Sequence, residues 1–288
     1  MQKDGCFLFG AVHGWERDVP LAPLTTVGAG GNAQYFARPE TEEQFIALYK
    51  EAEENAFILG KGSNVVFSDK GVKGFVISTE NLNRISYANG ILYMQCGASV
   101  AKILAFCREN DLGGAEFLCG IPASAGGLAV MNAGAFGREM KDVIAFVRTY
   151  REKVCTLSEK ECGFSYRKSA IGGAVLEVGI EVKRGFDRAF CEEIIKKRRE
   201  KQPVGKTFGS VFRNGQNYAA GELIERAGLK GFRVGGATVS EKHANFILNT
   251  GGATAQNIYD LVLYIKKRVY GQFGVKLKEE VRFIGDFT

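Results

Sequence analysis

The sequence predicts an α+β fold in two domains, the second smaller than the first. Three observations predict it. The chain has 288 residues, about two domains at roughly 150 residues each. Capped helices interleave with a hairpin signal. The glycine-rich loops lead into strand-like runs where a doubly wound nucleotide fold would need helices. Apolar residues at 45% and charged residues at 24% are globular composition and exclude a disordered chain.

The elements follow in order. Thr41-Glu-Glu-Gln44 is a capping box that opens a helix running to about Asn55. Phe57 to Gly60 and Gly74 to Ser78 read as short strands. Arg84 to Ala88, Asn89-Gly90 and Ile91 to Cys96 read as a hairpin, because Asn-Gly accepts the positive φ angles of a type I′ turn. Ser99 caps a helix with Val100, Ile103, Leu104 and Cys107 on one face. Val143 to Tyr150 and Val154 to Leu157 suggest a strand pair, and Val175 to Lys183 alternates as a strand. Asp187 opens a charged helix ending before Pro203, the connector out of the first domain.

The remainder reads as a strand near Ser210 to Arg213, a helix from about Tyr218 to Ala227, and strands near Phe232 and Phe246. A long helix follows Thr254, with Ile258, Leu261, Val262, Ile265, Val269 and Phe273 in one buried stripe. Lys276 to Ile284 reads as a final strand. No repeat or low-complexity linker interrupts the chain.

Net charge is +6, a mild excess that fits an anionic small molecule as well as a polyanion. The basic run Lys196-Lys197-Arg198-Arg199-Glu200-Lys201 reads as a solvated helix face. No recognition-helix pattern or RNP-like motif accompanies it, so nucleic acid is not an expected partner. Seven cysteines without a Cys-x-x-Cys pair, and only His13 and His243, argue against a metal site. They fit free thiols in a reducing cytosol. No apolar run approaches the roughly 18 residues of a membrane helix. Gly5 to Val12 is apolar but short, has Asp4 beside it and lacks a clear cleavage signal, so secretion is not expected.

Glycine is the outlier, 37 of 288 residues against a usual level of roughly 7%. Such a content implies tight turns and close backbone approach. Familiar motifs nearly match and fail. Gly205-Lys206-Thr207 ends like a P-loop, but its first glycine would fall at Glu200. Ser124 has Pro122 where a nucleophile elbow needs glycine. Gly28-Ala-Gly30-Gly-Asn-Ala33 and Gly60-Lys-Gly62 both lead into strand-like sequence, so neither places a helix N-terminus against a pyrophosphate.

Two loops stand out together: Leu59, Gly60, Lys61, Gly62, Ser63, Asn64, and Gly120, Ile121, Pro122, Ala123, Ser124, Ala125, Gly126, Gly127, continued through Ala133, Gly134 and Ala135. Both are small enough for a diphosphate to lie against the main chain. Tight strand–helix packing accounts for either loop equally well. Three polar spots need explaining: Phe164 to Ser169 around Arg167, Gly209 to Asn214 around Ser210, and Glu279-Glu280 before the last strand. Singly they read as a surface arginine, a turn serine and a solvated glutamate.

Taken in order, these motifs resemble the UDP-N-acetylenolpyruvoylglucosamine reductase family, flavoenzymes of peptidoglycan precursor synthesis. The resemblance spans about Leu21 to Gly285. It implies a vanillyl-alcohol-oxidase-like (PCMH-type) FAD-binding domain over 20–184, with subdomains of about 1–78 and 79–184. It further implies a substrate-binding domain over 185–275 and a C-terminal strand over 276–288 carrying the catalytic glutamate. FAD would lie on the two glycine loops, and NADPH would be the co-substrate. The reaction implied is reduction of UDP-N-acetylglucosamine enolpyruvate to UDP-N-acetylmuramate by a cytoplasmic monomer. Carried over residue by residue, Arg167 would stabilise charge on the substrate carboxylate, Glu280 would act beside it in its neutral form, and Ser210 would deliver the proton. Tyr166, Lys201, Asn214 and His243 would contact substrate; a solvated lysine and a structural histidine are the other readings of Lys201 and His243. Lys61 interrupts a loop that is often all glycine. Only seven residues separate Arg167 from Val175, which resembles the branch without an inserted tyrosine loop. An FAD-dependent sugar or alcohol oxidase of the same fold is the alternative. A non-catalytic nucleotide-sugar or nucleic-acid binder is a third possibility, and it predicts no flavin.

Overall fold

The computed structural model describes residues 14–52 and 56–287. Cys6, Gly5 to Val12, His13 and the expected helix end at Asn55 lie outside the described residues. Among the described residues, six sheets and six α-helices carry the architecture, and they bear out an α+β fold.

The first sheet orders its strands Trp15–Pro20, Asn32–Ala37, Val72–Ser78 and Phe57–Leu59. It is mixed: the first pair is antiparallel and the others are parallel. Helix α1 (Glu42–Glu51) makes the crossover. Thr41 Oγ1 accepts from Gln44 N–H at 3.2 Å, but the Gln44 side chain returns to Glu40 N–H rather than to Thr41. The expected capping box is therefore displaced by one residue on its return bond.

The second sheet is antiparallel, in the order Val154–Ser158, Ile144–Tyr150, Ala174–Glu181, Ile91–Gln95, Ile85–Ala88. Its last pair is the expected hairpin, with Asn89 at φ +50° and Gly90 at +80°. Helix α2 (Val100–Glu109) packs beside it and is capped by Ser99 Oγ. The expected strand to Lys183 ends at Glu181, and Lys183–Arg184 pairs separately with Leu112–Gly113. One large apolar core fills this sheet and its helices, with Leu92, Met94, Ile103, Phe117, Val147 and Ile180 among its fully buried members.

Helix α3 (Ala125–Val130) follows the second glycine loop. Helix α4 (Arg188–Lys201) is the charged connector, capped by Asp187. Beyond it, α5 (Ala220–Arg226), α6 (Ala255–Phe273) and a three-stranded sheet enclose a separate core. Ile258, Leu261, Val262, Ile265 and Val269 are buried as the stripe predicts, while Phe273 is half-buried. The helix between Tyr218 and Ala227 starts later than expected, because Asn214 Oδ1 takes the N–H of Ala220 and ends the preceding loop there.

Two expected strands are shorter than their sequences suggest. Ser210 to Arg213 forms no continuous strand. It makes single antiparallel contacts, Ser210 to Phe246 on one side and Phe212 to Glu279 on the other. Lys276 to Ile284 is regular only over Arg282–Ile284, which pairs in parallel with Val65–Phe67. That pairing ties the last segment to the strand that follows the first glycine loop. Asp69, just beyond Val65–Phe67, adds a second tie: its two carboxylate oxygens accept the N–H groups of Ala255 and Gln256 at the start of α6.

Candidate active site

The first glycine loop leaves the strand Phe57–Leu59 as a series of bends. Among the described residues, the N–H groups of Gly60, Lys61, Gly62, Ser63 and Asn64 find no acceptor. Backbone donors left in this state form an anion-binding concavity. The loop is shaped by contact with its surroundings. A Cβ on Gly62 would lie 2.1 Å from the Leu24 carbonyl oxygen, and Gly62 has φ +61°. A Cβ on Gly60 would lie 2.4 Å from Ser124 Oγ, so the two glycine loops meet here.

Ser124 is buried, and its hydroxyl caps no helical N–H. Its loop is held from behind by Ala125 N–H to Ala98 O and Gly126 N–H to Cys96 O. Ile121 is half-buried, while Gly120, Pro122 and Gly127 are exposed. Lys61 is exposed and faces no partner among the described residues. Ala133 leads into a hairpin of Gly134–Ala135 with Arg138–Glu139.

That hairpin cradles Arg167. Ser165 and Lys168 exchange backbone hydrogen bonds around Tyr166 and Arg167, closing a tight turn. Arg167 sits in it at φ +55°, a region that favours glycine and costs a branched or bulky residue free energy. Buried Asn132 holds the turn by donating to Ser165 O and to Glu139 Oε2. The Arg167 guanidinium then donates to Gly134 O at 2.9 Å, lies 3.2 Å from Glu280 Oε1 and 3.9 Å from Glu139 Oε1. It also stands 5.1 Å from the Tyr166 ring centre.

Glu280 lies two residues ahead of the final strand. Its N–H donates to Val211 O at 2.8 Å, and its carbonyl accepts from Asn64 Nδ2 at 3.1 Å. Ser210 immediately precedes Val211, so backbone hydrogen bonding brings the Ser210 segment, Glu280 and the first glycine loop together. Among the described residues the Ser210 hydroxyl has no partner. Burial pushes the Glu280 carboxyl above its ordinary value, while Arg167 and Arg213 pull it back down.

Four other expected contacts fall elsewhere in emphasis. Tyr166 is 45% exposed and stacks only on Arg167. Asn214 spends its Oδ1 on Ala220 N–H, a structural duty. His243 Nδ1 accepts from Asn245 N–H, and burial lowers the ring's proton affinity. Lys201 ends α4 exposed. Sequence reasoning missed Asn132, Glu139, Arg198 and Arg213. The signal for Arg198 was present: Cys191, Ile194 and Arg198 are spaced i, i+3 and i+7, one helical face.

Residues 33–153 match the family model described as FAD binding domain. Residues 200–284 match the model for the UDP-N-acetylenolpyruvoylglucosamine reductase C-terminal domain. The relative of that reductase name from Caldanaerobacter subterraneus is 39% identical over 279 residues, covering 93% of this chain and 92% of its own. The chain belongs to the UDP-N-acetylenolpyruvoylglucosamine reductase family. The Clostridium perfringens reductase is 38% identical over 280 residues, with coverages of 93% and 92%. The crystal structure of UDP-N-acetylenolpyruvylglucosamine reductase from Thermus caldophilus superposes with a TM-score of 0.83 at 32% identity, over 94% of this chain and 99% of that one.

A reductase of this family uses a vanillyl-alcohol-oxidase-like FAD-binding domain, and the residues present fit that cofactor. The acceptor-free N–H groups of residues 60–64 suit a diphosphate. Gly60 and Gly62 leave no room for a Cβ against Ser124 and Leu24, so packing behind the loop fixes its main chain. Among the described residues, no helix is long and apolar enough to cross a membrane. Among the described residues six cysteines are free, and burial pushes Cys96 and Cys107 up to about 12.

Proposed function

We propose that this reductase converts UDP-N-acetylglucosamine enolpyruvate to UDP-N-acetylmuramate with NADPH as reductant, acting as a cytoplasmic monomer in peptidoglycan precursor synthesis. The observation that carries the reading is the Arg167–Glu280 pair at 3.2 Å, fastened through Val211 and Asn64 to both Ser210 and the first glycine loop. FAD, when bound, would supply the hydride chemistry that links NADPH to the enolpyruvyl double bond. Residues 60–64 would hold its diphosphate through backbone N–H groups, with residues 120–127 and 133–135 beside it.

The chain's own residues manage charge and protons. Hydride addition to an alkene conjugated with a carboxylate gathers negative charge on that carboxylate. Arg167, braced by Gly134 O and Glu139, meets it with charge-assisted hydrogen bonds. Glu280 acts in its neutral form, since an ionised carboxylate would repel the developing charge; its burial favours that form. Ser210 Oγ delivers the proton to the neighbouring carbon. A hydroxyl is a poor acid, so this transfer needs a transition state already carbanionic. Tyr166, Lys201, Asn214 and His243 line the approach to the sugar nucleotide. The division of labour follows 20–184 for FAD, 185–275 for substrate and 276–288 for the returning segment with Glu280.

Anaerobic titration tests the reading. Purified protein should be yellow, NADPH should bleach it, and the enolpyruvyl sugar nucleotide should restore the colour. Bleaching by a sugar or alcohol with rapid reoxidation by oxygen, and no response to the enolpyruvyl compound, would overturn it in favour of an oxidase.

A further inference from the structure

Two guanidiniums near this centre carry Nε–H groups that are buried without an acceptor among the described residues, Arg198 and Arg213. Arg213 faces Glu280, which answers its charge. Among the described residues no carboxylate pairs with Arg198. One terminal nitrogen donates to Oε1 of Gln202, the residue that follows α4, at 3.2 Å. Its stem occupies the space a side chain on Gly120 would need: a Cβ there would lie 2.7 Å from Cδ and 3.3 Å from Nε. Its guanidinium stands 5.9 Å from the Phe136 ring centre at the tip of the Arg167 hairpin. Arg198 is thus wedged between the second glycine loop and the hairpin that holds Arg167.

Burying a cation without an anion is costly. Burial lowers the proton affinity of Arg198, and the nearby Arg167 cation adds to the penalty. The Cys119 thiol lies close enough to act on it, but burial raises that thiol, so it stays neutral. The buried Nε–H is left open to an acceptor that the described residues do not supply. The diphosphate already has its donors on residues 60–64. Arg198 stands at the other loop and next to Arg167, at the reacting end.

We infer that Arg198 is a flavin-contacting residue, donating Nε–H and a terminal N–H to the pyrimidine edge of the isoalloxazine ring, where negative charge gathers on two-electron reduction. The inference rests on the FAD reading above and adds to it a residue that sets how readily the bound cofactor is reduced. Gly120 must lack a side chain so that Arg198 can reach across the loop.

The test is the reduction potential of the bound flavin, measured against a reference dye with no NADPH or sugar nucleotide present. Arg198→Met should shift the reduction equilibrium at least about tenfold against the reduced form, roughly 30 mV for a two-electron couple. It should weaken sulfite addition at least about tenfold, and Arg198→Lys should recover most of both. An arginine that serves packing alone would lower thermal stability and flavin retention while the flavin still bound keeps its potential and sulfite affinity; that result overturns the inference. If Arg198→Met keeps no flavin, the wild-type protein decides. Its reduced flavin should stay anionic below the pH at which free reduced flavin takes up its N1 proton, and titration at the pH of free flavin overturns the inference. The inference fails alone when wild-type protein cycles between NADPH and the enolpyruvyl compound yet gives either overturning result. Colourless wild-type protein sinks both readings.

Discussion

Replacing Ser210 by alanine removes a single oxygen, and the structure gives that oxygen nothing to hold. Its hydroxyl has no hydrogen-bond partner among the described residues. The backbone around it is fixed independently, by Val211 N–H to Asn245 O and by Glu280 N–H to Val211 O. Asn245 adds side-chain bonds to both backbone groups of Phe212. The stability cost should therefore stay within about 0.5 kcal/mol, as for substitutions away from any packing or bonding feature. That moves the melting temperature by no more than roughly 2 °C in a chain of this size. A proton donor, in contrast, supplies about 10²–10⁴ in rate, which is about 3–5 kcal/mol on the barrier. The two magnitudes separate cleanly. Anaerobic stopped-flow should show NADPH bleaching nearly unchanged and reoxidation by the enolpyruvyl compound slowed at least about a hundredfold. Equal slowing of both halves, or a large drop in melting temperature, would show that the serine shapes the loop and moves no proton.

Further outcomes follow from other contacts. The Glu280 carboxyl is raised by burial, so it keeps its proton to higher pH than in the unfolded chain. Activity that needs the neutral form is full below the raised value and falls as pH climbs through it. Glu280→Gln cannot ionise, so its residual rate should show no such alkaline fall; a persisting limb in the pH profile assigns the loss to another group. Asp69→Ala removes two bonds to the N-terminus of α6. Thr254 still caps that helix and Asp69 is exposed, so the cost should be about 2 kcal/mol, or roughly 4–8 °C by calorimetry; an unchanged transition would mean this tie between Asp69 and α6 is idle. Gly60→Ala pushes a methyl group to 2.4 Å from Ser124 Oγ and should destabilise by about 1–3 kcal/mol. Adding Ser124→Ala leaves only a 3.5 Å contact with Cβ and should restore most of the loss, and a double variant no better than the single would disprove the contact.

Much of this was legible in the residues, and the limits have physical causes. Asn89-Gly90, Ser99, Asp187 and Thr254 each perform the local task their chemistry dictates, because a cap or a tight turn is decided within four residues. Strand ends were less legible. Lys276 to Ile284 has the composition of a strand, but regular pairing begins only at Arg282, where Val65–Phe67 becomes available. The partner, not the segment, sets the length. At the site, the glycine loops were visible as composition, whereas their meeting at Gly60 and Ser124 is a property of the fold. Arg198 lay hidden inside a basic run because charge drew attention away from its helical position. Arg167 gave no sign of its positive φ, which Asn132 imposes from 35 positions earlier in the chain through Ser165.

The parallel partnership of Val65–Phe67 with Arg282–Ile284 orders events in time. Asn64 reaches a residue 216 positions later in the chain, and contacts that distant form slowly, because a long loop must close before they return any free energy. During translation both glycine loops emerge well before Glu280 does. With the site assigned as proposed above, a nascent chain can assemble the cofactor's cradle while still lacking the carboxylate of Glu280. On that proposal reduction of substrate awaits the return of the last segment, which makes closure of that strand the natural checkpoint between a flavin holder and a working enzyme.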